Sequence, residues 1–188
     1  MQKTTSGTLS PTQIQSMMQI ALLTAVCCIL SPLSVPIGPI PVSLSLFAVY
    51  LTVYLLGTKK AFASVLLYIL IGLVGMPVFS GYAGGPAKLF GPTGGYIFGY
   101  LTLVLISGFF IDRFPARKWM LQIGGMLLGL LSCYFLGTVW FMLLSGMSLG
   151  ESLALCVYPF VAFDAAKILS AYFVGNTIKH AVRFVSTH

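Results

Sequence analysis

An acidic and a basic side chain stand together inside the last apolar segment of the sequence. Asp164 and Lys167 belong to the run SLALCVYPFVAFDAAKILSAYFV at positions 152–174, whose other residues are almost all apolar. A helix of about 20 such residues spans the hydrocarbon core of a bilayer. At that depth an ionised side chain costs about 2.5 kcal/mol or more unless it is paired or hydrated. The two residues therefore need a partner, a ligand or water.

Their spacing suggests which chemistry they could perform. Residues at i and i+3 share one helical face, so the Asp164 carboxylate and the Lys167 ammonium can form a pair. The same face can meet a ligand that carries both hydrogen-bond donors and acceptors. Charges inside membrane segments usually mark a functional site, and we therefore predict a ligand site here. The alternative is a buried ion pair with a structural role.

The composition identifies the class of protein. Hydrophobic residues make up 58% of the chain and charged residues 7%, whereas an ordinary soluble domain has about 25% charged residues. The formal net charge of +7 could suggest nucleic acid, but the basic residues lie at the ends of apolar runs, as topology signals do. The sequence thus predicts the lipid bilayer as its surroundings and no nucleic-acid partner.

The apolar runs predict the fold class. We expect an all-α integral membrane protein in which six transmembrane helices form a bundle, with residues 1–188 making one transmembrane substrate-binding domain. The predicted spans are 14–31, 43–57, 60–75, 96–111, 120–145 and 152–178.

The basic residues predict the orientation. Eight of them fall on one side of the six spans, and cytoplasmic loops carry the excess of Lys and Arg. Both termini are therefore expected in the cytoplasm, and loops 32–42, 76–95 and 146–151 are expected outside. The eight residues are Lys3, Lys59, Lys60, Arg113, Arg117, Lys118, Lys179 and Arg183.

The remaining chemistry of the sequence is sparse. The four cysteines fall within apolar runs, and His180 and His188 lie in the C-terminal tail. We find no Ser/His/Asp set, no metal-ligand spacing and no phosphate-binding G-x-x-x-x-G-K-[ST] motif. We predict no enzyme activity, no metal and no cofactor, and no ATP site on this chain.

Two outer loops have an unusual composition. The first has prolines at positions 32, 36, 39 and 41, which predicts a stiff, extended turn. The second, GMPVFSGYAGGPAKLFGPTGGY at 75–96, interleaves glycine with aromatic residues. Glycine allows a close backbone approach to a ligand, and aromatic rings form flat apolar walls. We interpret residues 79–95 as a lid hinged at its glycines; the alternative is a flexible linker.

Three motifs together resemble one known family. The stretches GLVGMPVFSG at 72–81, GPTGGY at 91–96 and PFVAFDAAK at 159–167 are similar to the biotin-specific substrate-capture (S) component of energy-coupling-factor vitamin transporters. That family has a first-loop pattern like V-P-x-T-L-Q-T. Residues 40–46 here read IPVSLSL, so Ser43 stands in place of threonine and Ser45 in place of glutamine.

The resemblance implies a function and a set of partners. It implies a six-helix protein of the bacterial plasma membrane that captures biotin from outside. A transmembrane coupling subunit and two ATPase subunits would supply the energy. Family members dock on the coupling subunit through an A-x-x-x-A pattern in the first helix, which Ala21 and Ala25 match. Small residues at this spacing also suit close helix packing in lipid, and their alternative role is packing within the bundle.

The resemblance also suggests how biotin would be held. Asp164 would accept from a ureido N–H, and Lys167 would donate to the ureido carbonyl or to Asp164. Aromatic side chains would wall the ring system, and polar groups of the second loop would meet the carboxylate of biotin. The aromatic set is Phe79, Tyr82, Tyr96 and Phe163, and the polar set is Lys88 and Thr93.

Two other functions fit parts of the pattern. A proton-coupled secondary transporter would use Asp164 as the proton carrier, although we see no internal repeat of the kind common in such transporters. An intramembrane enzyme would need a nucleophile or metal facing Asp164, and the sequence offers neither.

Overall fold

The computed structural model describes residues 10–35, 41–114 and 118–185 of the chain. Within these ranges the protein is almost entirely helical, with one short strand pair. Lys3, Arg117 and much of the first outer loop lie outside the described residues. In chain order the elements are α1 Pro11–Leu30, β1 Ser34–Val35, β2 Val42–Ser43, α2 Ser45–Leu73, α3 Pro86–Leu89, α4 Gly94–Arg113, α5 Trp119–Ser145, α6 Leu149–Cys156 and α7 Tyr158–Val185.

The ends of several helices follow from local sequence. Ser10 caps α1 by accepting from the backbone N–H of Gln13, whose side chain bonds back to the cap. Ser148 and Glu151 form the same reciprocal capping box at the start of α6. These contacts satisfy N–H groups that the first turn of a helix leaves unpaired. Helix α5 ends at Gly146, which adopts a left-handed conformation with φ 68°.

The helices agree with a multi-span membrane protein but not with six separate helices. By length and composition, four described helices could cross a membrane, or five if the bent pair α6–α7 is counted as one span. The last predicted span is this pair, with a bend of 44°. Pro159 is the second residue of α7. Since proline lacks an N–H and its ring clashes with the preceding turn, α6 cannot continue through it.

The second and third predicted spans are joined in α2, which is interrupted at Gly57. This glycine has φ 73° and ψ 176°, outside the helical region. Thr52 and Ser64 lie on opposite sides of Gly57, yet both contact the same part of α1, at Cys27 and Thr24. The chain therefore folds back at Gly57, and residues 45–56 and 58–73 form two arms of α2.

The turn at Gly57 carries a prediction for stability. A Cβ at this position would lie 2.7 Å from Asp112 Oδ1, and the backbone conformation is one that essentially only glycine adopts, at a cost of about 1–3 kcal/mol for other residues. We expect Gly57→Ala to lower the melting temperature in detergent clearly. The control is Gly124→Ala, because no atom lies within 4 Å of a Cβ there. Equal melting temperatures for Gly57→Ala and the parent would contradict this interpretation.

Helix α2 lies at the centre of the bundle, where it packs against α1, α4 and α7. Tyr50, Tyr54 and Tyr68 of α2 are among its largest fully buried side chains. Helices α4 and α5 approach closely because Gly99 faces Cys133 and Gly129 faces Ser107. This packing brings α4, α5, α7 and the start of α2 together around one cavity.

Candidate ligand-binding site

The cavity lies between the start of α2 and the helices α4, α5, α6 and α7. Its volume is about 60 Å³, and one side of it is open. It is lined by Pro41, Ser43, Ser45, Leu46, Tyr96, Tyr100, Leu130, Cys133, Tyr134, Cys156, Phe160, Asp164 and Lys167.

The predicted ion pair forms in the wall of this cavity. Lys167 Nζ lies 2.7 Å from Asp164 Oδ1. The hydroxyl of Tyr134, on α5, donates to the other carboxylate oxygen, Oδ2, at 2.6 Å. Asp164 is buried, so these two donors replace the water that a carboxylate would otherwise need. An ammonium has three N–H donors, and the contact with Asp164 uses one of them.

A chain of hydroxyl groups lines another part of the cavity. Ser43 Oγ is hydrogen-bonded to Ser45 Oγ, and Ser45 Oγ lies 2.7 Å from the hydroxyl of Tyr100. Each hydroxyl can donate one hydrogen bond and accept others. Ser43 and Ser45, where the first-loop pattern departs from the family's, therefore form a polar wall. These hydroxyl groups can rearrange their hydrogen bonds, so they can bind either a donor or an acceptor group of a ligand.

The rest of the lining is mostly apolar. Leu46, Leu130 and Phe160 contribute hydrocarbon surface, and Cys133 and Cys156 contribute buried thiols. Tyr96 packs its ring against Gly137, where a Cβ would lie 2.3 Å from the ring. Apolar walls with a few placed polar groups are typical of small-molecule sites.

Three of the predicted binding residues line the cavity, namely Tyr96, Asp164 and Lys167. Phe79 is fully buried elsewhere, packed edge-to-face on Tyr68 with ring centroids 5.5 Å apart. Thr93 is buried at the start of α4. Neither lies among the cavity residues.

The other three predicted residues also lie outside the cavity lining. Tyr82 is 65% exposed and Phe163 is 50% exposed. Lys88 is half-buried in the short helix α3. Burial lowers the pKa of the Lys88 amino group, because desolvation disfavours its charged form.

The second outer loop is held in place at several points. Gly81 N donates to Pro32 O, and Gly85 N donates to Gly72 O at 2.7 Å. The indole N–H of Trp140 donates to Gly91 O at 3.0 Å. The buried ring of Phe79 adds a side-chain anchor. These contacts hold the loop against the helices in this structure, and a lid hinged at the glycines stays a prediction.

Sequence reasoning missed several cavity residues, some of which a helical period indicates. Tyr100 is four residues after Tyr96 on α4, and Phe160 is four residues before Asp164 on α7, so each shares a face with a predicted residue. Tyr134 has no comparable signal. Its helix, α5, carries no charged residue that would distinguish the cavity side from the lipid side.

The predicted docking residues lie on an outward face of α1. Ala21 and Ala25 are exposed, whereas Leu23, Thr24 and Cys27 face the bundle. Thr24 fixes the rotation of α1 about its own axis. Its hydroxyl lies 2.8 Å from Ile20 O and 3.0 Å from Ser64 Oγ of α2. The small-residue stripe is therefore available to another helix.

No group of three or more His, Cys, Asp or Glu side chains suited to a metal ion occurs in residues 10–35, 41–114 and 118–185.

The fold closely matches a solved membrane protein. The match is to a crystal structure of the S-component for biotin from an ECF-type ABC transporter, with a TM-score of 0.84 and 28% sequence identity. It covers 92% of this chain and 95% of that one.

Relatives of known name have similar sequences over most of their length. The biotin transporter BioY of Thermotoga maritima is 31% identical, and the match covers 88% of this chain and 96% of that protein. The biotin transporter BioY2 of Lactococcus lactis is 33% identical, over 91% and 93%. The BioY family model matches residues 1–184. With its apolar helices and a matching fold, this chain is a multi-pass membrane protein, not an enzyme, and belongs to the BioY family of transporters.

Proposed function

We propose that this chain is the biotin-binding S component of an energy-coupling-factor transporter, which captures biotin from outside the bacterial plasma membrane. The observation that carries the proposal is the Asp164–Lys167 pair, buried in the wall of a largely apolar cavity. The names of the similar proteins support biotin as the ligand.

The cavity groups suit the chemistry of biotin. Its ureido ring offers N–H donors and a carbonyl acceptor, which match the Asp164 carboxylate and the Lys167 ammonium. Tyr96, Leu130 and Phe160 offer apolar surface to the thiophane ring and the hydrocarbon tail. We assign direct contact with biotin to cavity residues. For the buried Phe79 and Thr93 we propose a role in holding the surrounding loop and helices, and contact of Tyr82, Lys88 and Phe163 with biotin stays a prediction.

We place both termini in the cytoplasm, with six crossings when the arms of α2 are counted separately. Lys60 near the Gly57 turn donates to Gln19 in the N-terminal half of α1. At the same turn, Thr58 donates to Asp112 at the end of α4. These contacts gather Lys59, Lys60 and Arg113 at one end of the bundle, the expected cytoplasmic end.

The energy for uptake would come from partners. The sequence has no phosphate-binding motif of the Walker type, so we assign ATP hydrolysis to two ATPase subunits and transmission to a transmembrane coupling subunit. The exposed Ala21–Ala25 stripe on α1 supports docking there, since small side chains let helices approach closely in lipid.

The paired state of Asp164 argues against the proton-coupled alternative. The Asp164 carboxylate forms an ion pair with Lys167 and accepts a hydrogen bond from Tyr134. A proton carrier would have to break them in every cycle. We therefore prefer ATP-driven delivery.

Uptake of labelled biotin into cells that lack their own biotin transporter tests this proposal. The chain is expressed with the coupling subunit and either intact ATPase subunits or ATPase subunits whose Walker lysines are replaced by alanine. We expect accumulation only with intact ATPases. Accumulation that is unchanged by the ATPase substitutions and abolished by a protonophore would instead support the proton-coupled transporter.

A further inference from the structure

Among the hydrogen bonds of the described residues, that of the Tyr134 hydroxyl alone joins the Asp164–Lys167 pair to a different helix. Asp164 and Lys167 both belong to α7, whereas Tyr134 belongs to α5. Its donor lies 2.6 Å from Asp164 Oδ2. We propose that Tyr134 is a positioning residue for ligand binding, which holds the Asp164 carboxylate in the orientation that the ligand and Lys167 both use.

Geometry explains why a second helix is needed. A carboxylate bonded only to Lys167, three residues along the same helix, could rotate about its side-chain bonds while keeping that contact. The hydroxyl of Tyr134 fixes the second oxygen, so each oxygen has one defined donor. A carboxylate has about four lone-pair sites, and these two contacts leave acceptor capacity for a ligand N–H. A site fixed in advance avoids the ordering cost of binding.

The placement of Tyr134 supports this role. Its side chain lines the cavity together with Asp164 and Lys167, and it also packs against the buried cluster of Phe141, Cys156 and Phe160. The ring is thus held by packing while its hydroxyl faces the carboxylate. Since the hydroxyl acts through Asp164, its loss should matter only while Asp164 is present.

This inference rests on the proposed biotin function, and a double-mutant cycle separates the two. Biotin affinity is measured by calorimetry in detergent for the parent, Tyr134→Phe, Asp164→Asn and the double variant. Hydrogen bonds to charged groups contribute about 1.5–3 kcal/mol, so we expect Tyr134→Phe to weaken binding by about 10- to 150-fold. In the Asp164→Asn background the same change should cost less than about threefold, because its target carboxylate is gone.

Tyr50→Phe is the matched control. Tyr50 is fully buried, and its hydroxyl also donates to α5, at Met126 O with a distance of 2.7 Å, but it does not line the cavity. We expect the affinity of Tyr50→Phe for biotin to stay within about threefold of that of the parent. Tyr134→4-aminophenylalanine, which keeps a donor on the ring, should recover part of the loss. It also decides the matter if Tyr134→Phe does not fold, because affinity as low as that of Asp164→Asn would then contradict positioning.

The outcomes distinguish the two proposals. Parental affinity in Tyr134→Phe, with a large loss in Asp164→Asn, overturns the role of Tyr134 and leaves the biotin site intact. An equal loss from Tyr134→Phe in both backgrounds also overturns it, because the hydroxyl would then act independently of Asp164. Parental affinity in Asp164→Asn overturns the proposed biotin site itself.

Discussion

Asp164→Asn and Lys167→Met are each expected to weaken biotin binding by about 2–5 kcal/mol. Either change leaves its partner buried without an opposite charge, in a site where Asp164 is only 5% exposed. It also removes a group that we assign to the ureido ring. Calorimetry on folded protein in detergent measures the effect.

The control for this prediction is Lys60→Met. Lys60 belongs to the expected cytoplasmic end of the bundle, where it donates to Gln19, so the change removes a lysine without touching the cavity. We expect parental affinity. Affinities within twofold of the parent for both Asp164→Asn and Lys167→Met would reduce the pair to a structural ion pair.

Ala25→Trp is expected to abolish ATP-driven uptake while biotin binding by the isolated chain survives. Ala25 is exposed on α1, on the face opposite the buried Leu23, Thr24 and Cys27. A tryptophan there would hold a partner helix away and remove the dispersion contacts on which helix association in lipid depends. Uptake of labelled biotin and co-purification with the coupling and ATPase subunits measure docking, and calorimetry measures binding.

A second variant, with tryptophan elsewhere on the lipid-facing surface, controls for the size of the introduced side chain. Leu131 on α5 is 60% exposed and belongs to a helix to which we assign no partner. Leu131→Trp should leave uptake and co-purification unchanged. If Ala25→Trp keeps its partners but loses biotin affinity, α1 supports the cavity and does not form the docking surface.

The sequence was most informative at the two charged residues that lie inside an apolar span. The i, i+3 spacing of Asp164 and Lys167 predicted a contact that the structure contains, because few arrangements satisfy two charges in an apolar helix. The spans were also largely predictable from hydropathy, and the predicted end of the second span at residue 57 coincides with the interruption of α2 at Gly57. The bend between α6 and α7 was not predicted, because the apolar run 152–178 continues across it without a change in hydropathy.

Side chains contributed from other helices were much harder to predict. Tyr134 reaches Asp164 only because α5 packs beside α7, and no charged residue on α5 distinguishes its cavity side. The inward or outward orientation of loop side chains was also hard to predict, as Phe79 and Tyr82 show. Their place in an aromatic, glycine-rich loop suggested ligand contact, yet Phe79 is an anchor in the core and Tyr82 points to solvent. Loop composition indicates an unusual backbone, but it does not indicate which side chains turn inward.

The ligand of the purified chain can be identified directly by native mass spectrometry. The protein, isolated without partners and freed of small molecules, is offered an equimolar mixture of biotin, thiamine and riboflavin. We predict one biotin per chain in the parent and none in Asp164→Asn under the same conditions. Binding of a different vitamin, or equal biotin occupancy in the parent and Asp164→Asn, would contradict a biotin site built on Asp164 and Lys167.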